Sequence, residues 1–350
     1  MKVAPHIQRV SVLGLLFVLA ACHNPYKREL QPFERFGFIR RQDPRMDLIV
    51  PPGTQVEKLA GGFEWSEGPV WDRDAEVLYF SDVPRNTIYV WWEKWGDKGK
   101  LDVYLKPSGY TGDVVRAGEP GSNGLTLDGE GRLVICEHGD RRVSRLEDRK
   151  RGIKTTLASQ YQGKRLNSPN DCVYSSRGDL YFTDPPYGLD KQNADPAKEL
   201  DFNGVYRLSS KGELTLLTKE LTFPNGIALS PDEKTLYVAN SDPEKAVWMA
   251  FAFEPNGLLG PGRVLFDATP LVKEGRPGLP DGLKVDQQGF LFATGPGGVL
   301  VLAPDGKHIG TIETGEAIAN CGWGDDGSTL YLTSDMFLCR IKLKAKGLGF

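Results

Sequence analysis

The sequence predicts an all-β protein: a six-bladed β-propeller of four-stranded antiparallel blades, its last blade closed by a strand from the N-terminal side. Three observations carry that expectation. A short phrase recurs six times, beginning at Glu67, Asn123, Asn170, Asn225, Asp281 and Cys321, at intervals of 40 to 56 residues, a period that implies a repeat architecture. Each phrase runs into a polar turn and then an apolar strand, such as Leu78-Tyr79-Phe80, Leu180-Tyr181-Phe182 or Leu330-Tyr331-Leu332. No amphipathic helical stretch of useful length competes, and the 41 glycines suit a chain of short strands and tight turns.

Taken in order, the chain opens with a targeting segment at 1–21. Lys2 and Arg9 precede an apolar run from Val10 to Ala21, too short for a spanning helix. The run ends Leu19-Ala20-Ala21-Cys22, which resembles a bacterial lipobox with Cys22 as the lipid-bearing residue. Residue 23 is His and not Asp, which by the same resemblance points to the outer membrane, facing the periplasm. Residues 22–46 are polar and arginine-bearing and read as a tether. The propeller then occupies 47–350. Thr54 to Ala60 has strand character ahead of the first phrase, whereas the sixth unit runs out near Phe350 before a fourth strand. The early strand is therefore expected to complete the sixth blade and close the ring. Blade three carries a long polar excursion, Gly188 to Asn203, a candidate lid.

Composition excludes some functions. A net charge of −3 with no block of Lys or Arg gives no footprint for nucleic acid. Four cysteines follow Cys22, namely Cys136, Cys172, Cys321 and Cys339, each within or beside an apolar strand and none in CxxC spacing. Buried free thiols are expected, and no disulfide connectivity can be read. No GxSxG phrase occurs, which disfavours a serine esterase.

If the repeats are related by rotation, their first residues meet at the axis. Glu67, Asn123, Asn170, Asn225 and Asp281 then place oxygen-bearing side chains around one point. Carboxylate and amide oxygens in irregular array suit a hard cation such as Ca2+. Only His138 and His308 lie in the folded part, so a three-histidine zinc site is excluded.

Several of these phrases together resemble the gluconolactonase/regucalcin-like (SGL) family of sugar-lactone hydrolases. They are Ser66-Glu67-Gly68-Pro69-Val70-Trp71, Arg165-Leu166-Asn167-Ser168-Pro169-Asn170-Asp171, Phe182-Thr183-Asp184-Pro185-Pro186-Tyr187-Gly188, Phe223-Pro224-Asn225-Gly226 and Pro280-Asp281-Gly282. The match runs from about Val50 to Lys346. The resemblance implies that Glu67, Asn225 and Asp281 hold a divalent metal, with Asn170 as a further ligand. Ca2+ is expected, and Mg2+, Mn2+ or Zn2+ are alternatives. It further implies an enzyme that opens a sugar lactone by polarising its carbonyl oxygen, with Asp281 taking the proton from the attacking water. Asn123, His138, Arg165, Asn167 and Tyr187 are expected to bind the sugar, while Asp171 and Asp184 read as backbone hydrogen bonders. Two other readings use the same residues: an aryl-ester or phosphotriester hydrolase, and a lipid-anchored propeller that binds without catalysis.

Overall fold

The computed structural model describes residues 33–94, 98–114 and 116–350. The leader, Cys22 and the first part of the expected tether lie outside them.

Six antiparallel sheets follow one another along the chain, each starting with its innermost strand. Blade one is Ser66–Asp72, Val77–Asp82, Thr87–Trp92 and Lys100–Leu105. Blades two, three, four and five begin at Ser122–Leu127, Cys172–Tyr174, Pro224–Leu229 and Leu283–Val285. Blade six is Ile318–Gly324, Thr329–Ser334 and Phe337–Lys342, and its fourth strand is Val56–Gly61, registered Phe337↔Gly61 and Arg340↔Glu57. The ring thus closes through a strand that precedes blade one, as expected. Helix among the described residues is confined to Met46–Ile49, Thr269–Lys273 and one 3-10 turn, Gln192–Ala194.

The apolar core is divided among the blade interfaces. Six clusters of buried side chains each join two neighbouring blades. Between blades six and one, for example, Tyr331 is fully buried and stacks on Trp71 at 5.6 Å. Because alternate residues of every sheet bury themselves against the next blade, the axis is left to what the inner strands place there. These inner strands approach closely. A Cβ added to Gly226 would stand 2.2 Å from the Asp281 carbonyl oxygen, and one on Gly124 would stand 2.6 Å from that of Asn170. The glycine after the repeated polar residue is therefore a packing requirement.

Two expectations are corrected. The C-terminal part of the stretch expected as a tether is folded: Glu34–Phe36 pairs with Val56–Gly61, and Phe38–Arg41 pairs with the blade-five edge His308–Glu313. Both blades carry edge strands with unpaired backbone groups, which recruit any extended segment that passes. The arginines that looked like tether residues are ion-paired there, Arg40 with Glu313 at 2.6 Å and Arg35 with Glu57 at 3.3 Å. Gly37, at φ +78°, makes the step from one blade to the next.

The second correction concerns blade six. Cys172↔Phe182, Ile227↔Val238, Leu283↔Ala293 and Cys321↔Leu332 are equivalent pairs. Cys321 thus matches the apolar residue two places after the repeated polar one, and its thiol is buried in the core against the Phe292 carbonyl. Ala319 holds the axial position, accepting the Gly282 N–H as Asn170 accepts that of Gly124. All four described cysteines are buried free thiols, as expected.

Gly226→Ala should destabilise the protein by about 1–3 kcal/mol, the usual cost of overpacking. Gly129→Ala, at a turn with open space around the added carbon, should change stability by about 0.5 kcal/mol or less. Equal denaturation midpoints for both variants would contradict the close approach of the inner strands.

Candidate active site

At one end of the channel a cavity of about 380 Å³ collects Glu67, Asn123, Asn170, Asn225 and Asp281. Five blades each contribute one side chain, from or just before the start of the inner strand. Tyr187, from the loop after the second strand of blade three, joins them, together with Trp65, Glu119, Ser241, Leu279 and Ile318. The lining contains no Lys or Arg.

Glu67 is almost wholly buried, and its Oε2 accepts two hydrogen bonds, from the Gly68 N–H at 2.7 Å and the Asn320 amide at 3.0 Å. Burial, with Asp171 nearby, pushes its carboxyl up to about 8. Asp281 is held well above the usual carboxylate range by burial first and then by Glu67. Its Oδ1 is buried with no hydrogen-bond partner, and so is Oδ1 of Asn123. Beneath the ring, Asp171 accepts the Cys172 N–H at 2.8 Å and lies 3.5 Å from the Asn320 amide. Asp171 and Asn320 occupy the place that glycine holds in blades one, two, four and five, so their side chains build a second polar layer.

The amides are aimed by neighbours. Asn225 donates through Nδ2 to the Ser241 hydroxyl at 3.0 Å, while Ser241 in turn donates to the Pro280 carbonyl. This chain fixes the Asn225 oxygen on the other side, where the Asn170 amide donates to it at 2.6 Å. His138, fully buried, places Nε2 3.1 Å from the Asn170 side chain and Nδ1 3.2 Å from the Glu119 carbonyl oxygen. Burial pushes the imidazole down to about 4, so it is neutral at physiological pH. Nε2–H donates to the Asn170 Oδ1, which holds the Asn170 NH2 group against the Asn225 oxygen.

The five residues of the repeat and Tyr187 are thus brought together, whereas three others expected to bind substrate stand elsewhere. His138 lies behind Asn170. Arg165 is exposed on the hairpin Gln160–Tyr161/Lys164–Arg165, its guanidinium on the Asp140 carbonyl at 3.1 Å. Asn167 is buried and bonds the Asp184 and Phe202 carbonyls, both at 3.0 Å, to pin the blade-three excursion. Their motif is contiguous in sequence, but its chain passes along the side of the cavity wall, and only its end reaches the axis. Asp184 accepts the Asn167 and Ser168 N–H groups at 2.8 Å, a backbone role as expected. Glu119, Ser241 and Asn320 were missed. Glu119 and Ser241 lie outside the repeated position; the register slip at Cys321 concealed Asn320.

The described residues contain no group of three or more His, Cys, Asp or Glu placed to hold a metal ion by themselves. The ring is instead two carboxylates among amides, with an unpartnered Asp281 oxygen facing them, a donor set that fits a hard cation.

Residues 65–336 match the family described as SMP-30/Gluconolactonase/LRE-like region. The chain is 39% identical over 317 residues to a gluconolactonase of Zymomonas mobilis, covering 89% of this chain and 87% of that one. It is 25% identical over 276 residues to a pentonolactonase of Haloferax volcanii, covering 77% and 80%. Among solved structures it resembles a gluconolactonase of Xanthomonas campestris, with TM-score 0.75 and 31% identity over 90% of this chain and 99% of that one. The ring of oxygen donors is therefore set in a chain that belongs to the SMP-30/gluconolactonase/LRE-like family.

Proposed function

We propose that this chain is a metal-dependent hydrolase of neutral sugar lactones. The observation that carries the reading is the pair of carboxyls, Glu67 buried and Asp281 half-buried with its Oδ1 enclosed, in a cavity without a basic side chain. A pure binding module has no use for an unpartnered carboxyl oxygen at the base of its cavity. The relatives that are gluconolactonases and a pentonolactonase support the substrate class.

Glu67, Asn170, Asn225 and Asp281 would hold a divalent cation, Ca2+ by the all-oxygen donor set. When bound, such a cation supplies Lewis-acid polarisation of the lactone carbonyl. The chain's own residues do the rest. His138 and Ser241 fix the two amides, so the ligand oxygens are aligned before substrate enters. Asp281, with Oδ1 free of hydrogen bonds, takes a proton from water as the water oxygen attacks the carbonyl carbon. The unpartnered Asn123 oxygen accepts a sugar hydroxyl. Tyr187, stacked on Phe223 at 6.0 Å, offers a flat face to the ring carbons, while Trp65, Leu279 and Ile318 limit bulk water.

The leading test follows proton release during glucono-1,5-lactone hydrolysis. Chelator should abolish turnover and added Ca2+ restore it, and calorimetry should detect Ca2+ binding by the free protein. Asp281→Asn should lose about 10²–10⁴ in kcat, as expected for a general base. Activity indifferent to chelator and to this substitution would reject the reading. A lactone carrying a phosphate should have kcat/KM at least about tenfold lower than the neutral lactone, since its charge meets a wall of carboxyls. Equal efficiency would argue against neutral substrates. For the leader we propose lipid attachment at Cys22 and an outer-membrane location. Cys22→Ala should then shift the protein from the membrane fraction to the soluble one, and an unchanged distribution would dismiss the anchor.

A further inference from the structure

Lactone opening needs two proton transfers, and the ring accounts for one. Water must lose a proton as it attacks. The ring oxygen, an alkoxide leaving group, must gain one as its bond to the carbonyl carbon breaks. Asp281 serves the first transfer, and an acid on the opposite wall would serve the second without waiting for Asp281 to hand its proton on. Glu67 has both its hydrogen bonds on Oε2 and belongs to the cation set, and the remaining members are amides.

We propose that Glu119 is a further catalytic residue, the acid that protonates the leaving ring oxygen. This inference rests on the lactonase reading above. Glu119 lines the same cavity as Asp281. It stands on the segment entering blade two, whereas Asp281 stands at the entry to blade five. In a ring of six these blades face each other across the axis, so the two carboxyls address a bound lactone from opposite sides. Glu119 also lines the adjoining cavity of about 250 Å³ with Tyr187, Gly188 and Asp190. Its carboxyl therefore sits on the sill between the ring and the outer mouth, where a product hydroxyl would leave.

Its surroundings suit an acid. Its side chain keeps 37% exposure, while desolvation of the carboxyl within the cavity pushes it up, to about 7. His138 faces it, with Nδ1 3.6 Å from Oε2. Arg116, three residues earlier, is turned away to the Gly188 carbonyl and to Asp190, 3.1 Å distant. Tyr187, Glu67 and Asp281 share the cavity. Thus no guanidinium or ammonium pairs with the carboxyl among the described residues.

The step balances. Water adds through oxygen to the carbonyl carbon and its proton passes to Asp281. The bond from that carbon to the ring oxygen then breaks, and the oxygen takes the Glu119 proton. The product is a hydroxy acid, which releases a proton to solvent; Asp281 deprotonates and Glu119 regains a proton from water. Since Glu119 must begin protonated, the alkaline limb of the pH profile should be its own, with activity falling as pH rises through about 7, whereas the acid limb belongs to Glu67 and Asp281, which must be ionised to act.

The test compares Glu119→Gln with wild type on two lactones in the presence of Ca2+. An aldonolactone leaves as a poor alkoxide and needs the acid; dihydrocoumarin leaves as a phenolate and does not. Glu119→Gln should lower kcat on the aldonolactone by about 10²–10³, within the usual range for acid catalysis. It should leave dihydrocoumarin turnover and Ca2+ affinity little changed, and abolish the alkaline fall. Equal losses on both substrates, or no loss on the aldonolactone, would overturn the role of Glu119 and leave the lactonase reading intact. A wild type inactive on both lactones would remove the lactonase reading and the acid role together. If Glu119→Gln fails to fold, Glu119→Ala is measured on the same pair, with the same outcomes deciding.

Discussion

Two carboxyls enclosed at one end of a channel, with no basic side chain among the lining residues, are the constraint on which the rest of the site depends. An isolated buried carboxylate is costly, and a second one beside it raises the cost. In the metal-free chain both Glu67 and Asp281 are held above the usual carboxylate range. A divalent cation would allow both groups to ionise. The same groups that penalise the metal-free site would thus favour hard, oxygen-loving ions.

The architecture makes that expense tolerable. The apolar core lies in six interfaces between blades, so stability does not require an apolar axis. Inner strands fixed by these interfaces hold the donors rigidly, and close approach beside Gly124 and Gly226 brings their first residues to a common point. The amides are oriented from outside the ring by Ser241 and His138, which lie in the second strand of blade four and just beyond that of blade two. Precision at the axis is therefore set in part by residues beside the donors, Ser241 at the cavity wall and His138 behind it.

Much of this was legible in the sequence because rotation turns a repeat into a ring. A residue type that recurs at one repeat position must converge, and Glu67, Asn123, Asn170, Asn225 and Asp281 do. The closing strand was legible for a related reason, since the last unit lacked one. Legibility failed where the rule had no purchase. Cys321 was misregistered because blade six has Ala319 at the axial position, leaving no oxygen-bearing residue to align. Arg165 and Asn167 sit in a motif whose sequence is contiguous with Asn170, but contiguity does not make a side chain face the axis. The edge strands at 34–41 carry no apolar alternation, because they cover outer edges and are held by backbone pairing and by ion pairs such as Arg40–Glu313.

The same division explains why the chemistry is easier to read than the substrate. The oxygen-bearing residues of the ring come from or just before the inner strands, whose spacing is fixed by packing and repeats around the ring. Glu119 and Tyr187 come from connecting segments, which obey no period and vary in length from blade to blade. In blade three that segment extends to Asn203 and is pinned by Asn167, Arg141 and Lys198 through backbone carbonyls. Loops held in this way form a built wall, and where the wall brings a carboxyl to the mouth it adds a proton donor that the inner ring lacks. The repeat therefore determines what can be bound and polarised at the axis. The irregular segments determine which leaving group can depart.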